Sequence, residues 1–308
     1  MWGDMPVWIL ATFFAAFMQN LRFLLQRHLR VTTLSTMGAT WARFAFATPF
    51  VALFLGLWLA LTGQAMPAPM AVFWAYAVGG SMAQMLATAC VVALFGRRNF
   101  AVGVTLSKTE VILTALIGLI VLGEAVSMPV LMAIMLGFVA VILLSDPPES
   151  PIALPWHARL FNAASGYGLM SGLLFGVSAV CYRGATLSLT GGDEVLRAAT
   201  ALMTATSVQT VALGLWLVWR DRSEIGRVFA SWRVSGLVGL TSTLSSLGWF
   251  TAFALQTAAY VKALGQIELV FTFLFSALWL RERSSRKEIA GFSLLIISLV
   301  LILSGSWL

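Results

Sequence analysis

Charge is scarce in this chain of 308 residues. Asp, Glu, Lys and Arg make up 10% of it, hydrophobic residues make up 60%, and the mean hydropathy is +0.92. Soluble domains carry roughly 25% charged residues, and a soluble fold of this size could not bury so much apolar surface. The composition therefore predicts an integral membrane protein whose surroundings are the lipid bilayer.

Cysteine and histidine are nearly absent as well. Cys90 and Cys181 both lie inside apolar runs, and His28 and His157 are far apart in sequence. This pattern predicts neither a disulfide framework nor a metal site, and we expect no cofactor. The net charge of +7 could suggest nucleic acid, but the arginines occur singly or in pairs at the ends of apolar runs. That distribution is typical of charges that orient helices in a membrane, so no nucleic-acid partner is expected.

The apolar runs are long enough to cross a bilayer, which takes about 20 residues. Turn and charge signals divide the chain into about ten such runs, at residues 6–26, 34–61, 70–95, 100–122, 128–145, 164–187, 193–219, 233–256, 259–281 and 287–306. A proline-rich segment at 148–163 separates the first five from the last five. The predicted units are therefore 1–147 and 164–308, joined by this linker.

Two stretches of the chain are imperfect copies of each other. Glu110 and Glu124 bracket an apolar run in the first copy, and Glu268 and Glu282 bracket one in the second, each 158 residues later. Because five is an odd number of spans, the second copy must enter the membrane upside down. The sequence predicts an all-α membrane protein with ten transmembrane helices as two inverted five-helix repeats, an architecture of secondary transporters whose site lies between the halves.

The basic residues predict the orientation. Nearly all of the basic residues outside the spans lie on the links that follow odd-numbered spans, and the positive-inside rule predicts that those links are in the cytoplasm. Both termini are then predicted to be non-cytoplasmic, in the plasma membrane of a prokaryote (the inner membrane if Gram-negative). The residues concerned are Arg27, Arg30, Arg97, Arg98, Arg159, Arg220, Arg222, Arg227, Arg233, Arg281, Arg283, Arg286 and Lys287.

Charged side chains at membrane depth are the leading site candidates, because they are costly there unless they pair or face a cavity. Glu110 and Glu268 fall near the middles of the fourth and ninth spans, with Lys108 and Lys262 close by in sequence. An inverted repeat would bring these spans to equivalent places, so we expect cross-pairing of Lys108 with Glu268 and of Lys262 with Glu110. The glutamates either lock the two halves together or bind a cationic group or a proton.

Other polar and aromatic residues inside the spans are weaker candidates for lining a cavity: Asn20, Trp41, Tyr76, Gln84 and Trp249, together with Gln19 and Phe250. Glu124 and Glu282, at span ends, are expected to cap or anchor. Gly168, Gly172 and Gly176 recur every four residues on the sixth span and predict a close helix contact.

The repeat endings carry a family resemblance. Leu122-Gly123-Glu124 with Gly137 beyond it, and Leu280-Arg281-Glu282 with Gly291 beyond it, resemble the repeat-ending motif of the drug/metabolite transporter superfamily, specifically its ten-helix EamA-type branch. One departure is clear: many members have a proline in the middle of the fourth and ninth helices, where this chain has Lys108-Thr109-Glu110 and Gln266-Ile267-Glu268.

The resemblance implies a secondary transporter of small metabolites, and the export of amino acids, including aromatic or other apolar ones, is the favoured function. An uptake carrier and a lipid flippase are the nearer alternatives. A membrane-embedded enzyme acting on lipid or prenyl substrates is disfavoured, since the chain lacks clustered carboxylates and a His/Asp constellation. The phosphate-binding loop of ATP-driven pumps is also lacking, so coupling would use a proton or a counter-substrate. The oligomeric state stays open.

Overall fold

The computed structural model describes residues 6–94, 106–144, 163–275 and 286–305, and these fold almost entirely into helices. In the first half the elements are α1 (Val7–Thr32), α2 (Thr36–Thr62), β1 (Ala68–Pro69), α3 (Ala71–Leu94), α4 (Glu110–Leu122) and α5 (Met128–Leu144). In the second half they are α6 (Ala163–Leu187), β2 (Leu189–Thr190), α7 (Glu194–Arg220), α8 (Arg222–Ala230), α9 (Trp232–Leu255), α10 (Ala258–Leu264), α11 (Ile267–Phe275) and α12 (Arg286–Gly305).

The long helices match the predicted spans. Within the described residues α1, α2, α3, α6, α7 and α9 are each long and apolar enough to cross a membrane, whereas α4, α5 and α12 are shorter apolar helices. The prediction of an all-α membrane protein is confirmed. The first span, predicted to end at residue 26, continues to Thr32, because the basic residues after Gln26 stay helical instead of ending the helix.

Two predicted spans are broken rather than continuous, so that part of the prediction was wrong. In the fourth, Leu106 and Ser107 are helical, Lys108 and Thr109 form a turn, and α4 begins at Glu110. The Thr109 hydroxyl donates to the Leu106 carbonyl at 2.8 Å, a local bond that competes with helix continuation. The ninth span divides into α10 and α11 at Gly265 and Gln266, where glycine weakens the helix.

Helix pairing follows a regular pattern. Four of the larger contacts join α1 to α9, α3 to α6, α2 to α7 and α5 to α12. This set of four contacts is unchanged when each of the first five spans exchanges places with its counterpart in the second half. A duplicated unit would give symmetric contacts of this kind, and the duplication itself stays a prediction.

Contacts between links group them by side. The Ser35 N–H, before α2, donates to Glu224 of α8 at 2.6 Å. At the other end of α2, β1 pairs with β2 in antiparallel fashion, and Gln64 donates to Asp193 at 2.7 Å. The first and seventh links therefore share one side and the second and sixth share the other, as the charge pattern predicts.

Several predicted features lie outside the described residues: the linker at 148–162, Glu282, His157, and the basic residues Arg97, Arg98, Arg159, Arg281 and Arg283.

Candidate functional site

The two helix breaks meet, and their charges pair across the halves. Lys108 forms an ion pair with Glu268, and the Nζ of Lys262 lies 3.4 Å from Oε2 of Glu110. All four side chains are between 8% and 13% exposed. The predicted cross-pairing is confirmed, and Glu110 and Glu268 each have a lysine from the other half of the chain as partner.

Glu268 is also held by α1. The Gln19 amide donates to its Oε2 at 2.7 Å, and Asn20 donates to its backbone carbonyl at 3.0 Å. The Trp249 indole in turn donates to the Gln19 side-chain oxygen at 3.1 Å. A chain of hydrogen bonds therefore links α9, through α1, to the break in the ninth span.

Lys262 lies among aromatic rings. Its Nζ is 5.1 Å from the centre of the Trp249 ring and 5.5 Å from that of Phe175, distances at which a cation attracts the ring face. Gly265, at the break, closely abuts the Trp249 ring, since a Cβ there would lie 3.1 Å from its Cζ3 and nearer still to its Cη2. The break in the ninth span therefore packs directly against the Trp249 ring.

Glycines of α6 hold the first break against that helix. A Cβ on Gly172 would lie 2.6 Å from the Thr109 hydroxyl and 2.9 Å from the Ser107 carbonyl. A Cβ on Gly176 would lie 3.3 Å from the Thr114 backbone nitrogen. These distances leave little or no space for a side chain, so the predicted close helix contact of α6 is made with the fourth span.

A central cavity lies beside these breaks. Its volume of about 30 Å³ has room for a few water molecules but not for an amino acid. Any organic substrate would therefore require the helices to move apart. The lining residues are Gln19, Arg22, Arg43, Gln84, Phe175, Ser178, Ala179, Tyr182, Ser246, Trp249, Phe250, Phe253 and Lys262.

A second polar cluster contributes to the cavity wall. Tyr182 donates to the Gln84 side-chain oxygen at 3.0 Å. Gln209 donates to the same oxygen at 2.9 Å and lies 3.1 Å from the Tyr182 hydroxyl. Gln84 was a predicted candidate, whereas Tyr182 and Gln209 were not. The only sequence signal for Gln209 is a lone amide in an apolar run.

Two arginines in the cavity were also missed as site candidates. Arg22 and Arg43 are 2% and 4% exposed, and both line the cavity. The sequence signal was a single cation within a span, but nothing in the sequence indicated that α1 and α2 would turn both toward the same space.

Of the remaining candidates, two lie elsewhere. The Trp41 indole donates to the Thr210 carbonyl at 3.0 Å and meets Phe229 edge-on, inside a packing cluster between α2, α7 and α8. The Tyr76 ring abuts Gly184 at the contact of α3 with α6. Both are placed as packing residues, and neither is among the residues that line the central cavity.

Glu124 serves as an anchor at the end of its span. Its Oε1 accepts from Nε of Arg183 at 2.9 Å, and that arginine also donates to the carbonyls of Phe253 and Ala254 at 2.7 and 3.1 Å. The pair ties α4 to the ends of α6 and α9. Among the residues that the structure describes, no group of three His, Cys, Asp or Glu residues could hold a metal.

Comparisons with known proteins bear on the fold and the family. A crystal structure of another protein matches with a TM-score of 0.65 at 12% identity, covering 96% of this chain and 95% of that one, which shows a shared fold. No curated protein matches the sequence. The model of the EamA-like transporter family matches residues 164–304, the second of the two halves. The second half of the chain is therefore similar to the EamA-like transporter family, and the multi-pass helical architecture agrees with that similarity.

Proposed function

We propose that this protein is a secondary transporter that exports amino acids with aromatic or other apolar side chains. The observation that carries the proposal is the mixed chemistry of the central cavity. Cationic and hydrogen-bonding groups lie beside a cluster of aromatic rings, which is the combination that an amino acid with a charged head and an apolar side chain requires.

The aromatic part of the wall is closely packed. The rings of Tyr182 and Phe250 have centroids 4.3 Å apart, and those of Trp249 and Phe253 are stacked at 6.2 Å. These rings offer a flat apolar surface to a substrate side chain. Trp249 and Tyr182 already have hydrogen-bond partners, so their faces can bind an apolar group without leaving a polar atom unsatisfied.

The broken spans suggest how access would alternate. Each break carries one lysine and one glutamate, and the two ion pairs join the halves of the protein next to the cavity. Widening of the cavity would pull these ion pairs apart. That separation is costly unless another group replaces the lost partner. A substrate ammonium group or a proton could take the place of lysine on Glu110 or Glu268, which would couple transport to substrate binding.

The proposal includes the orientation and the two-part organisation of the chain. Residues 1–147 and 164–308 would form inverted halves around the cavity, in the plasma membrane of a prokaryote with both termini non-cytoplasmic. An uptake carrier or a lipid flippase of the same fold is the alternative, and it makes different predictions in the experiment below.

Counterflow in vesicles tests the proposal directly. Liposomes holding the purified protein and loaded with unlabelled phenylalanine should accumulate radiolabelled phenylalanine faster than unloaded or protein-free liposomes. Phe253→Leu, in the cavity wall, should slow the exchange several-fold. The matched control Phe54→Leu should not, because Phe54 stacks on Trp58 away from the cavity.

Direction is tested in cells. Expression should raise tolerance to the toxic analogue p-fluorophenylalanine if the protein exports, whereas heightened sensitivity would indicate uptake. Absence of counterflow for every amino acid, with translocation of a labelled phospholipid in the same liposomes, would replace the proposal with a flippase.

A further inference from the structure

Arg22 is a buried cation that has no counter-ion among the described residues. Its Nη1 donates to the Gln26 side-chain oxygen at 2.7 Å, and its guanidinium lies 4.2 Å from the centre of the Phe23 ring. Its Nε is buried and has no hydrogen-bond partner. Burying a charged donor without an acceptor is costly, so the Nε of Arg22 is available to donate to a bound ligand.

Arg43 is held firmly but is not neutralised. Its Nε donates to the Ser242 hydroxyl at 3.0 Å and its Nη1 to the Thr88 hydroxyl at 2.7 Å. Both partners are uncharged, so they fix the guanidinium in place and leave its charge intact. The side chain is therefore oriented in advance for a group that has yet to bind.

The other buried cations of the protein differ in this respect. Lys108, Lys262 and Arg183 each form an ion pair with a glutamate. Within the described parts of the chain, Arg22 and Arg43 form none. Pairing is thus the rule for buried cations in this fold, and the two arginines that line the cavity are the exceptions.

The two exceptions line the same space. No carboxylate is among the cavity-lining residues that the structure describes, and the third cation among them, Lys262, is already paired with Glu110. The like charges of Arg22 and Arg43 repel each other. An anion between them would relieve the repulsion and give both guanidinium groups a partner.

We propose that Arg22 and Arg43 form an anion subsite that binds the carboxylate of the transported molecule. This inference rests on the proposed function, which it deepens by assigning the head of the substrate to α1 and α2 and the side chain to the aromatic wall. Substrates would then need a carboxylate, and amides or decarboxylated amines of the same shape would be rejected.

Binding to the purified protein in detergent tests the subsite without transport. The probes are 3-phenylpropionate and its uncharged amide, which differ in charge but hardly in shape, and the readout is quenching of tryptophan fluorescence or thermal stabilisation. We expect the carboxylate to bind at least tenfold more tightly than the amide. Arg22→Gln and Arg43→Gln should each remove this preference, whereas Arg220→Gln, at an exposed helix end, should keep it.

A second measurement separates binding from folding. Without ligand, Arg22→Gln and Arg43→Gln should melt no lower than the wild type, because each change removes an uncompensated buried charge. Equal binding of the two probes, binding of neither, or a carboxylate preference that survives both substitutions would overturn the subsite. Counterflow of phenylalanine with no carboxylate preference would leave the proposed function standing and refute the subsite. A carboxylate preference without counterflow of phenylalanine or another amino acid would keep the subsite and refute the amino-acid assignment.

Discussion

At the scale of single residues, the ion pair between Lys108 and Glu268 is costly to disturb from one side. Removing one partner of a buried pair leaves a stranded charge and costs about 3–5 kcal/mol. We expect Lys108→Met to lower the free energy of unfolding by about that amount, and the double variant with Glu268→Gln to be milder, since it strands no charge. Equilibrium unfolding in detergent measures both.

The matched control combines Lys108→Met with Glu124→Gln, because Glu124 is paired with Arg183 instead. Its two effects should simply add. If the effects of Lys108→Met and Glu268→Gln also simply add, the two charges do not stabilise each other.

The paired glutamates carry the second prediction at this scale. Glu110→Gln and Glu268→Gln should both insert and fold, since glutamine keeps the size and much of the hydrogen bonding of glutamate. At least one of them should abolish transport or flatten its pH dependence, because glutamine can neither carry a proton nor hold a cation by charge. Transport by both variants at the wild-type rate and pH profile would assign the glutamates to structure.

Asp193, outside the membrane spans, gives a prediction about pH. Burial raises the pKa of Asp193, but hydrogen bonds from the Leu196 N–H, Gln64 and Trp58 outweigh it, and the pKa is lower than usual. A lowered pKa contributes stability above the unfolded value of about 3.9, and that stability is lost as the pH falls through the folded value. Thermal stability should therefore drop more steeply below about pH 4 in the wild type than in Asp193→Asn.

A companion variant separates charge from capping. Asp193→Ala should cost about 1 kcal/mol at neutral pH, because the Asp193 side chain caps α7 by accepting from the Leu196 N–H. An unchanged pH profile in Asp193→Asn would show that the charge contributes nothing.

At the scale of elements, the contact between α6 and the first break depends on glycine. Gly172→Leu should lower the yield and melting temperature, because its side chain would overlap the turn at Ser107 and Thr109. Gly166→Leu on the same helix is the matched control, since a Cβ there meets nothing within 4 Å. Size-exclusion chromatography and thermal melts compare the two, and equal behaviour would show that this face of α6 tolerates bulk.

The helix breaks show where sequence reasoning ends. The spans were predictable because apolar runs and turn signals mark them, and the lysine–glutamate pairs were predictable because a repeat brings equivalent positions together. The breaks at Thr109 and Gly265 were not predictable, since threonine and glycine are common within membrane helices and no proline marks either site. Arg22 and Arg43 were missed as a pair because α1 and α2 meet at the cavity through tertiary packing, which local sequence does not encode.

At the scale of the whole molecule, contacts between links divide the protein into two sides. Glu224 joins the first and seventh links on one side, and β1 with β2 joins the second and sixth on the other. The seventh link and the end of α1 carry arginines, whereas the second and sixth links carry none. The positive-inside rule predicts that the arginine-bearing side is cytoplasmic.

Cysteine labelling tests this orientation. In a variant with Cys90 and Cys181 replaced by serine, single cysteines are placed at the exposed positions Met66 and Thr190 on one side and Thr33 and Ser223 on the other. A membrane-impermeant maleimide added to intact cells should label Met66→Cys and Thr190→Cys. It should label Thr33→Cys and Ser223→Cys only after permeabilisation, because their links are predicted to lie in the cytoplasm. A reporter fused after Leu308 should likewise be non-cytoplasmic. The opposite labelling pattern would invert the orientation, and labelling that differs between members of one pair would contradict the contacts between links.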